Sequence, residues 1–478
     1  MKLLCKGLFF LCFVLAAAPA SAQLTQDEIK QRIARTALNY FLENAHPKTG
    51  MVRDKADNFS TAPLDTDRVA SIAATGFGLA VVTHASTQGL VEPAMAQQYA
   101  LKVMKFARDS VPRRKGWFLH WVDWETGARA WKSEYSTIDT ALFMAGALYA
   151  AQVYPKAEFA PIVHKIYQDI DFYDPLTDGG ALPNKRTLSM GYFEETGYVK
   201  TQWTMYAEQM ILLVLGLGHP TNPLPISTWT EWQRSTEKIG EREVMGLDQA
   251  LFVHQYSQLF IDFRTFNDSF KNYFDNSVAI TRVHRDMAKP DAKYKSLKEG
   301  FWGFSAGDAP NVSYGVYDAV KHSSTVCIGC ALGSLVFSPS EVLSDATKWL
   351  EGPYKDRVWG KYGFVDSVDL DKDWFSNMVL GITVGPAYMS LVNTDYETSI
   401  WKTFMEIPEI KKGLERASRA TSAHAPPPMV PPALAPSPES VKPEVTPAAP
   451  APAPAPAKKP ETSQLEAVPD TVVQAQTH

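Results

Sequence analysis

The sequence predicts an all-α protein built as a toroid of inner and outer helices, and three observations carry that expectation. The segments of the long middle region, about residues 24–422, read as helices one after another, with few runs that alternate apolar and polar residues as strands would. No linker-like stretch divides these residues, so they are expected to form one domain despite their length. Some helices are amphipathic and others are apolar on nearly every face, and a helix with no polar face must be surrounded by other helices. Alternation of half-exposed and enclosed helices is what two concentric rings need, and it favours an (α/α) toroid over a simple bundle.

The chain opens with Lys2 and Lys6, an apolar run over residues 8–18, and Ala20-Ser21-Ala22 before Gln23. That is the pattern of a secretory signal peptide, so cleavage is expected after Ala22 and the mature chain is expected to be periplasmic or secreted, in a Gram-negative bacterium. No later stretch reaches the roughly 20 apolar residues of a spanning helix, and no cysteine follows the cleavage motif, so no membrane anchor is expected. Cys5 and Cys12 leave with the signal, which leaves Cys327 and Cys330. In an oxidising compartment this pair is expected to form one short-range bridge, with a redox motif as the sharper alternative. Removing Lys2 and Lys6 from the 47 basic residues leaves 45 against 52 acidic ones, an unfavourable balance for a nucleic-acid partner. The chain is 12% aromatic with 12 Trp, and aromatic faces suit stacking against neutral sugar rings.

Taken in order, residues 29–42 read as an amphipathic helix and residues 69–82 as an enclosed one. Asp65, Asp67 and Arg68 precede the second; Asp67 and Arg68 are candidate substrate contacts, although charge complementarity at a helix start accounts for the acids equally well. Residues 116–127, continuing to Trp131, Glu134 and Tyr135, concentrate four tryptophans and three acids without helical periodicity. A loop or hairpin that exposes rings and carboxylates together is expected there, with Trp121, Asp123 and Trp124 as sugar contacts. The alternative is a tryptophan lid packed over the helix ends, and His120 reads more simply as structural than as a sugar contact. Ser136-Thr137-Ile138-Asp139 before an apolar run matches a capping box, so Asp139 has a capping explanation beside a catalytic one. Glu134 just precedes that helix and has no evident capping duty.

Glu208 lies in residues 205–217, which read as an enclosed helix that also carries the candidate sugar contact Tyr206. Burial disfavours the charged carboxylate and suits a general acid near neutral pH; the alternative is a carboxylate paired with a buried Arg or Tyr. Most glycoside hydrolysis needs two carboxyl groups, one to protonate the leaving oxygen and one to activate water or attack. Glu208 and Glu134 form the expected pair, with Asp139 as a third catalytic candidate. Asp308, in Ser305-Ala306-Gly307-Asp308-Ala309-Pro310, is expected on a loop at the ring's mouth, in substrate contact or in a turn.

Several strings resemble one family in order along nearly the whole domain. They are Ala73-Ala74-Thr75-Gly76-Phe77-Gly78-Leu79, Glu134 to Leu142 (EYSTIDTAL), Tyr206 to Leu213 (YAEQMILL), Gly218-His219-Pro220-Thr221, Ile261-Asp262-Phe263-Arg264, Tyr362-Gly363-Phe364-Val365-Asp366 and Ile400-Trp401-Lys402-Thr403-Phe404-Met405. Together they look like the glucoamylase-like family, which includes the endo-β-1,2-glucanases of glycoside hydrolase family 144. The resemblance implies an (α/α)6 toroid and an exported enzyme that hydrolyses β-1,2-linked glucan by an inverting acid/base mechanism, with no required metal or other cofactor. It supports acids in the segments of Glu134, Asp139 and Glu208 and adds Asp366 as a substrate-binding candidate. Thr383 and Val384 depart from the family pattern, which has an acid and an amide there, and Cys327 and Cys330 stand where it has small residues. Beside hydrolysis stand two alternatives, a transglycosylase on the same glucan and a non-catalytic glycan-binding envelope protein.

The C-terminal segment, residues 423–478, changes character. Nearly half of the 33 prolines fall after residue 423, with almost no large apolar side chains, so a disordered, extended Pro/Ala-rich tail is expected. An inert spacer is the simpler role, and docking to an unknown partner the other. Deleting residues 424–478 should leave the melting temperature and activity unchanged, because the segment has nothing with which to build a core. A large fall in melting temperature on truncation would show that the tail docks.

Overall fold

The computed structural model describes residues 24–422, except 61, 63, 65–67 and 267. The expected signal peptide, the candidate Asp67 with its neighbour Asp65, and the tail lie outside the described residues.

The alternation of half-exposed and enclosed helices is observed. Amphipathic α1 (Gln26–Glu43) starts at a reciprocal capping box, in which Thr25 Oγ1 accepts from the Glu28 amide and the Glu28 carboxylate accepts from the Thr25 amide at 2.8 Å. Enclosed α2 (Ile72–Thr87) follows, and every residue from Ile72 to Ser86 is buried. Outer α3 (Pro93–Asp109), enclosed α4 (Thr137–Val153) and outer α5 (Ala160–Gln168) continue the pattern. Then come α6 (Met210–Gly218) and α7 (Tyr256–Phe260), both enclosed, and outer α8 (Tyr273–Asp286). Enclosed α9 (Ile328–Ala331), outer α10 (Pro339–Glu351), enclosed α11 (Gly381–Val392) and outer α12 (Pro408–Ser422) complete the series.

Contacts close the ring. Helix α2 packs on α4, α4 on α6, α6 on α7, and α11 on both α7 and α2, while α9 packs on α11 and on the turn that leads into α7. The place outside α6 is filled from far along the chain, by α12. Six enclosed helices and six outer ones thus form the rings among the described residues, as the (α/α)6 expectation requires, beside four short helices at Tyr173–Thr177, Lys295–Lys298, Lys355–Val358 and Ile400–Phe404.

Two glycine contacts set how closely the rings pack. A methyl group on Gly146 of α4 would overlap the carbonyl oxygen of Gly76 in α2, and one on Gly76 would overlap the α4 backbone at Leu142. Helices α6 and α12 approach as closely: a methyl group on Gly218 would overlap the Glu409 carbonyl oxygen, and one on Gly413 the Val214 carbonyl oxygen. Backbones that touch without intervening side chains cannot yield to an added atom. Gly146→Ala should therefore destabilise the domain by about 2–3 kcal/mol, in the range of core overpacking, and lower the midpoint of thermal denaturation. An unchanged midpoint would contradict the close approach of α2 and α4.

Two local expectations are corrected. The enclosed helix predicted over residues 205–217 begins at Met210; residues 203–209 form turns, and Met205 makes an isolated bridge with Gln233. The described chain also holds many antiparallel strand pairs of two to five residues, where few strands were expected. Such pairs are too short for a period of two to register in the sequence. Several lead directly into enclosed helices: Val69–Ser71 into α2, Tyr135–Ser136 toward α4, Thr325–Val326 toward α9 and Met378–Leu380 into α11. The strands thus form a rim at the N-terminal ends of the inner helices, where the candidate acids collect.

Candidate active site

The tryptophan-rich stretch is a hairpin, as expected. Trp117–Phe118 and Trp121–Asp123 run outward, Leu119 bridges Tyr135 and Val122 bridges Arg129 on the return, and Trp121–Asp123 pairs with Val69–Ser71 in register Ser71↔Trp121. This pairing fixes His120 at the mouth of the ring, where its carbonyl accepts from the Ile72 amide at 3.1 Å.

His120 joins two of the predicted acids. Its Nδ1 lies 2.9 Å from Glu134 Oε1 and its Nε2 lies 3.4 Å from Asp139 Oδ1. Burial opposes a charged ring, but the carboxylates of Asp139 and Glu134 outweigh it and push His120 up to about 9. The ring is therefore an imidazolium at neutral pH, hydrogen-bonded to Glu134 and ion-paired with Asp139. Burial also acts on Glu134, but the His120 charge prevails and holds it below the usual carboxylate range. At Asp139 burial prevails over His120 and raises it. Asp139 is also tied to the helix start: Ser136 Oγ accepts from the Asp139 amide at 3.2 Å and donates to Asp139 Oδ2 at 2.5 Å. Capping and a place in the site thus coexist in this residue, whereas Glu134, which has no capping duty, is held by His120.

Glu208 sits in the turn just ahead of α6 instead of inside a helix. Its residue is only 4% exposed, and no hydrogen bond or ion pair ties its carboxyl group to another side chain among the described residues. The pairing with a buried Arg or Tyr that offered a structural explanation is thus not observed. Burial, reinforced by the charge of Asp139, pushes Glu208 up to about 7. Ser257 Oγ of α7 donates to the Glu208 carbonyl at 2.5 Å and fixes the turn.

Three residues that sequence reasoning missed complete the cluster. Asp54 accepts from Trp121 Nε1 at 3.0 Å and is raised by burial. Tyr256, on α7, donates to the Ile382 carbonyl at 2.9 Å. Tyr314, on the strand Val312–Val316, feels the charges of Asp54, Asp366, Asp139 and Glu208, which with burial raise its hydroxyl far above its ordinary value. Tyr256 is raised by burial and by Tyr314, Glu208, Asp139 and Asp366. The two tyrosines therefore stand among acids contributed by distant parts of the chain. No sequence pattern marks any of the three, because only ring closure brings them together.

Asp308 and Asp366 form the opposite part of the rim. Asp366 is fully buried; its Oδ2 accepts from the Asp308 amide at 2.7 Å and from Ser367 Oγ at 2.8 Å, and its Oδ1 from Thr383 Oγ1 at 2.9 Å. Burial and the neighbouring Asp308 charge push Asp366 up to about 7. Asp308 lies on a strand of a hairpin, accepts from Ser376 Oγ at 2.5 Å, and is raised by burial. Beneath them Cys327 and Cys330 are disulfide-bonded, with Cα atoms 5.2 Å apart, and the Cys327 sulfur accepts from the Cys330 amide at the start of α9. With both sulfurs in the bridge, no thiolate faces Asp366.

The other candidates are engaged elsewhere. Asp123 Oδ2 and Oδ1 accept from Arg68 at 2.8 and 3.1 Å, and Oδ1 also accepts from the Glu125 and Thr126 amides, so both charges serve the hairpin loop. These bonds, led by Arg68, hold Asp123 far below the usual carboxylate range. Trp124 is covered by the Arg53 guanidinium, 4.2 Å from its ring centre, and by His46. Tyr206 is buried among Trp232, His254 and Tyr273. Trp121 does reach the site, stacked on His120 with ring centres 3.4 Å apart. Ligand atoms of His120, Glu134 and Asp139 converge within 4.8 Å of one another, the set that could hold a cation. The imidazolium, hydrogen-bonded to Glu134 and ion-paired with Asp139, already supplies positive charge at that point.

Comparisons with known proteins agree with this architecture. Residues 200–408 match the Glycoamylase family model, described as "Putative glucoamylase"; the match includes Glu208, Asp308 and Asp366. Over 435 residues the chain is 21% identical to an exo β-1,2-glucooligosaccharide sophorohydrolase (non-reducing end) of Parabacteroides distasonis, covering 82% of this chain and 58% of that relative. The endo-β-1,2-glucanase of Chitinophaga pinensis, solved with sophorotriose and glucose, superposes with a TM-score of 0.75 at 20% identity over 82% of this chain and 98% of its own. A β-1,2-glucanase structure from P. distasonis gives 0.73 at 18% identity, over 83% and 60%. At such identities the likeness of the structures establishes a shared fold.

Proposed function

We propose that this chain is a glycoside hydrolase that cleaves β-1,2-linked glucan, with Glu208 as its general acid. The observation that carries the reading is the buried carboxyl group of Glu208, without a side-chain partner among the described residues and set among Asp139, Tyr256 and Tyr314 at the mouth of an (α/α) ring. The activities named for the P. distasonis relative and the C. pinensis structure supply the linkage.

Held up to about 7, Glu208 is largely protonated in mildly acidic solution and about half protonated at neutral pH, and can give its proton to the glycosidic oxygen. The bond between that oxygen and the anomeric carbon breaks, and its electron pair leaves on the newly protonated hydroxyl. A water adds to the anomeric carbon from the opposite face and loses its proton to a carboxylate, which inverts the configuration. Asp139 is the better base of the two candidates. Its charge reaches Glu208 and both tyrosines, and it meets His120 only in an ion pair at 3.4 Å, whereas Glu134 is hydrogen-bonded to that ring at 2.9 Å. His120 offsets part of the burial that raises Asp139, and Trp121 holds His120 in place by stacking. In the same reading, residues 1–22 direct export to the periplasm or medium.

Incubating the full chain with β-1,2-, β-1,3-, β-1,4- and α-linked glucans should release oligosaccharides from the first alone. Product sizes then separate internal from end-wise attack, and transfer to sugar acceptors would reveal transglycosylation. Binding without cleavage of any glucan would contradict the hydrolase reading.

A further inference from the structure

The return strand of the tryptophan hairpin is broken opposite Trp121 by a tight turn. The Ser133 amide donates to the Ala130 carbonyl at 3.0 Å, and the two central residues, Trp131 and Lys132, have φ of 51° and 53°. Positive φ at both central positions with an i to i+3 hydrogen bond defines a type I′ turn, which favours Asn-Gly because side chains crowd the backbone there. A tryptophan followed by a lysine is a costly occupant, and such strain persists only where the surroundings enforce it.

Here they do. Arg129 Nη2 and Nε donate to the Lys132 and Ser133 carbonyls, both at 2.6 Å, and Arg129 is itself clamped by Glu195 through bonds of 2.6 and 2.9 Å. Ser133 Oγ adds a bond to the Trp121 carbonyl at 3.0 Å. The result of this enforcement is an indole displayed to solvent: Trp131 is 51% exposed, so it adds little to the core. Its ring meets that of Trp121 edge-on with centres 5.4 Å apart, and Trp121 stacks on His120, which holds both Glu134 and Asp139. A continuous aromatic surface therefore runs outward from the acid cluster and ends on the exposed face of Trp131.

We infer that Trp131 is a stacking platform for a pyranose ring of the glucan, an outer subsite next to the place of cleavage, displayed by the strained turn that Arg129 and Glu195 hold. A sugar ring offers C–H groups to an indole face while its hydroxyls stay in water, so such a platform suits a neutral chain whose linkage is read deeper in the site. The inference rests on the proposed glucan substrate for its occupant, and its strain argument stands on the turn alone.

The test compares the full chain with Trp131→Ala, Trp131→Phe and the paired change Trp131→Asn with Lys132→Gly. Affinities for a trimer and a hexamer of β-1,2-linked glucose are measured by calorimetry in an otherwise Glu208→Gln background, so that nothing is consumed. Trp131→Ala should weaken the hexamer about tenfold and the trimer far less, with Trp131→Phe in between. The Asn-Gly pair should raise the melting temperature while weakening the hexamer as Trp131→Ala does, a combination that a packing role for the indole cannot give. Equal losses for both lengths, unchanged hexamer affinity, or a fall in melting temperature for the Asn-Gly pair would overturn the inference. Binding of the hexamer by a parent chain that cleaves no glucan would end the hydrolase reading and leave the affinity ratio to decide this one; binding of neither sugar would overturn both.

Discussion

Glu208→Gln is expected to lower kcat on β-1,2-glucan by about 10² to 10⁴, the range that general acid catalysis contributes. The amide keeps the shape of the side chain and removes the proton that the leaving oxygen needs. In the wild-type chain, activity should fall as pH rises through about 7, where Glu208 loses its proton. Stability should move the other way in the variant. The folded-state value of this acid lies above its ordinary 4.5, so the unfolded chain ionises first as pH rises. Glu208 thus becomes a growing cost to the fold between about pH 4.5 and 7, with a plateau above, worth at most ~3 kcal/mol at one pH unit per 1.36 kcal/mol. The Gln variant should match wild type near pH 4 and be the more stable protein at pH 8. Near-normal turnover in a folded Gln variant would move the acid to another carboxyl group, with Asp308 and Asp366 the next candidates.

Asp139→Asn should bring a second loss of about 10² to 10⁴ in kcat, as expected for a missing general base. It carries its own electrostatic signature. The Asp139 charge helps to raise Glu208, so removing it should move the alkaline limb of the pH–rate profile to lower pH. His120 loses one of the two carboxylates that hold it near 9 and should titrate closer to neutrality, a shift that NMR of the ring can follow. The asparagine can still accept from Ser136 Oγ, so the helix start should survive. An unchanged pH profile would place Asp139 too far from Glu208 to act with it, and Glu134→Gln would then be the variant to compare.

The parts of this molecule that could be read in the sequence are those whose cause is local. Helices α2 and α4 have no polar face, and that alone requires neighbours on every side. The three-residue spacing from Ser136 to Asp139 announces the start of α4, and the crowding of Trp residues with acids announces the hairpin. Glu208 stood out because a carboxyl group among apolar residues needs a reason, even though the helix behind it starts only at Met210. What could not be read depends on long-range closure. Asp54, Tyr256 and Tyr314 are ordinary in their own neighbourhoods and gain meaning only where the rim segments meet. Asp123 and Arg68 looked like free sugar ligands because nothing in the sequence shows that they bind each other across the paired strands. Trp131 was one tryptophan among several until its left-handed backbone set it apart.

The central claim, an inverting hydrolase of β-1,2-glucan, is tested most directly by proton NMR of that glucan from the first moments of digestion by the full chain. The account predicts new reducing ends that appear first as the α-anomer and relax only later to the equilibrium mixture, since attack on a β-linkage with inversion yields α. New ends that appear first as the β-anomer would contradict the acid/base assignment, and no new ends at all would contradict the hydrolase itself.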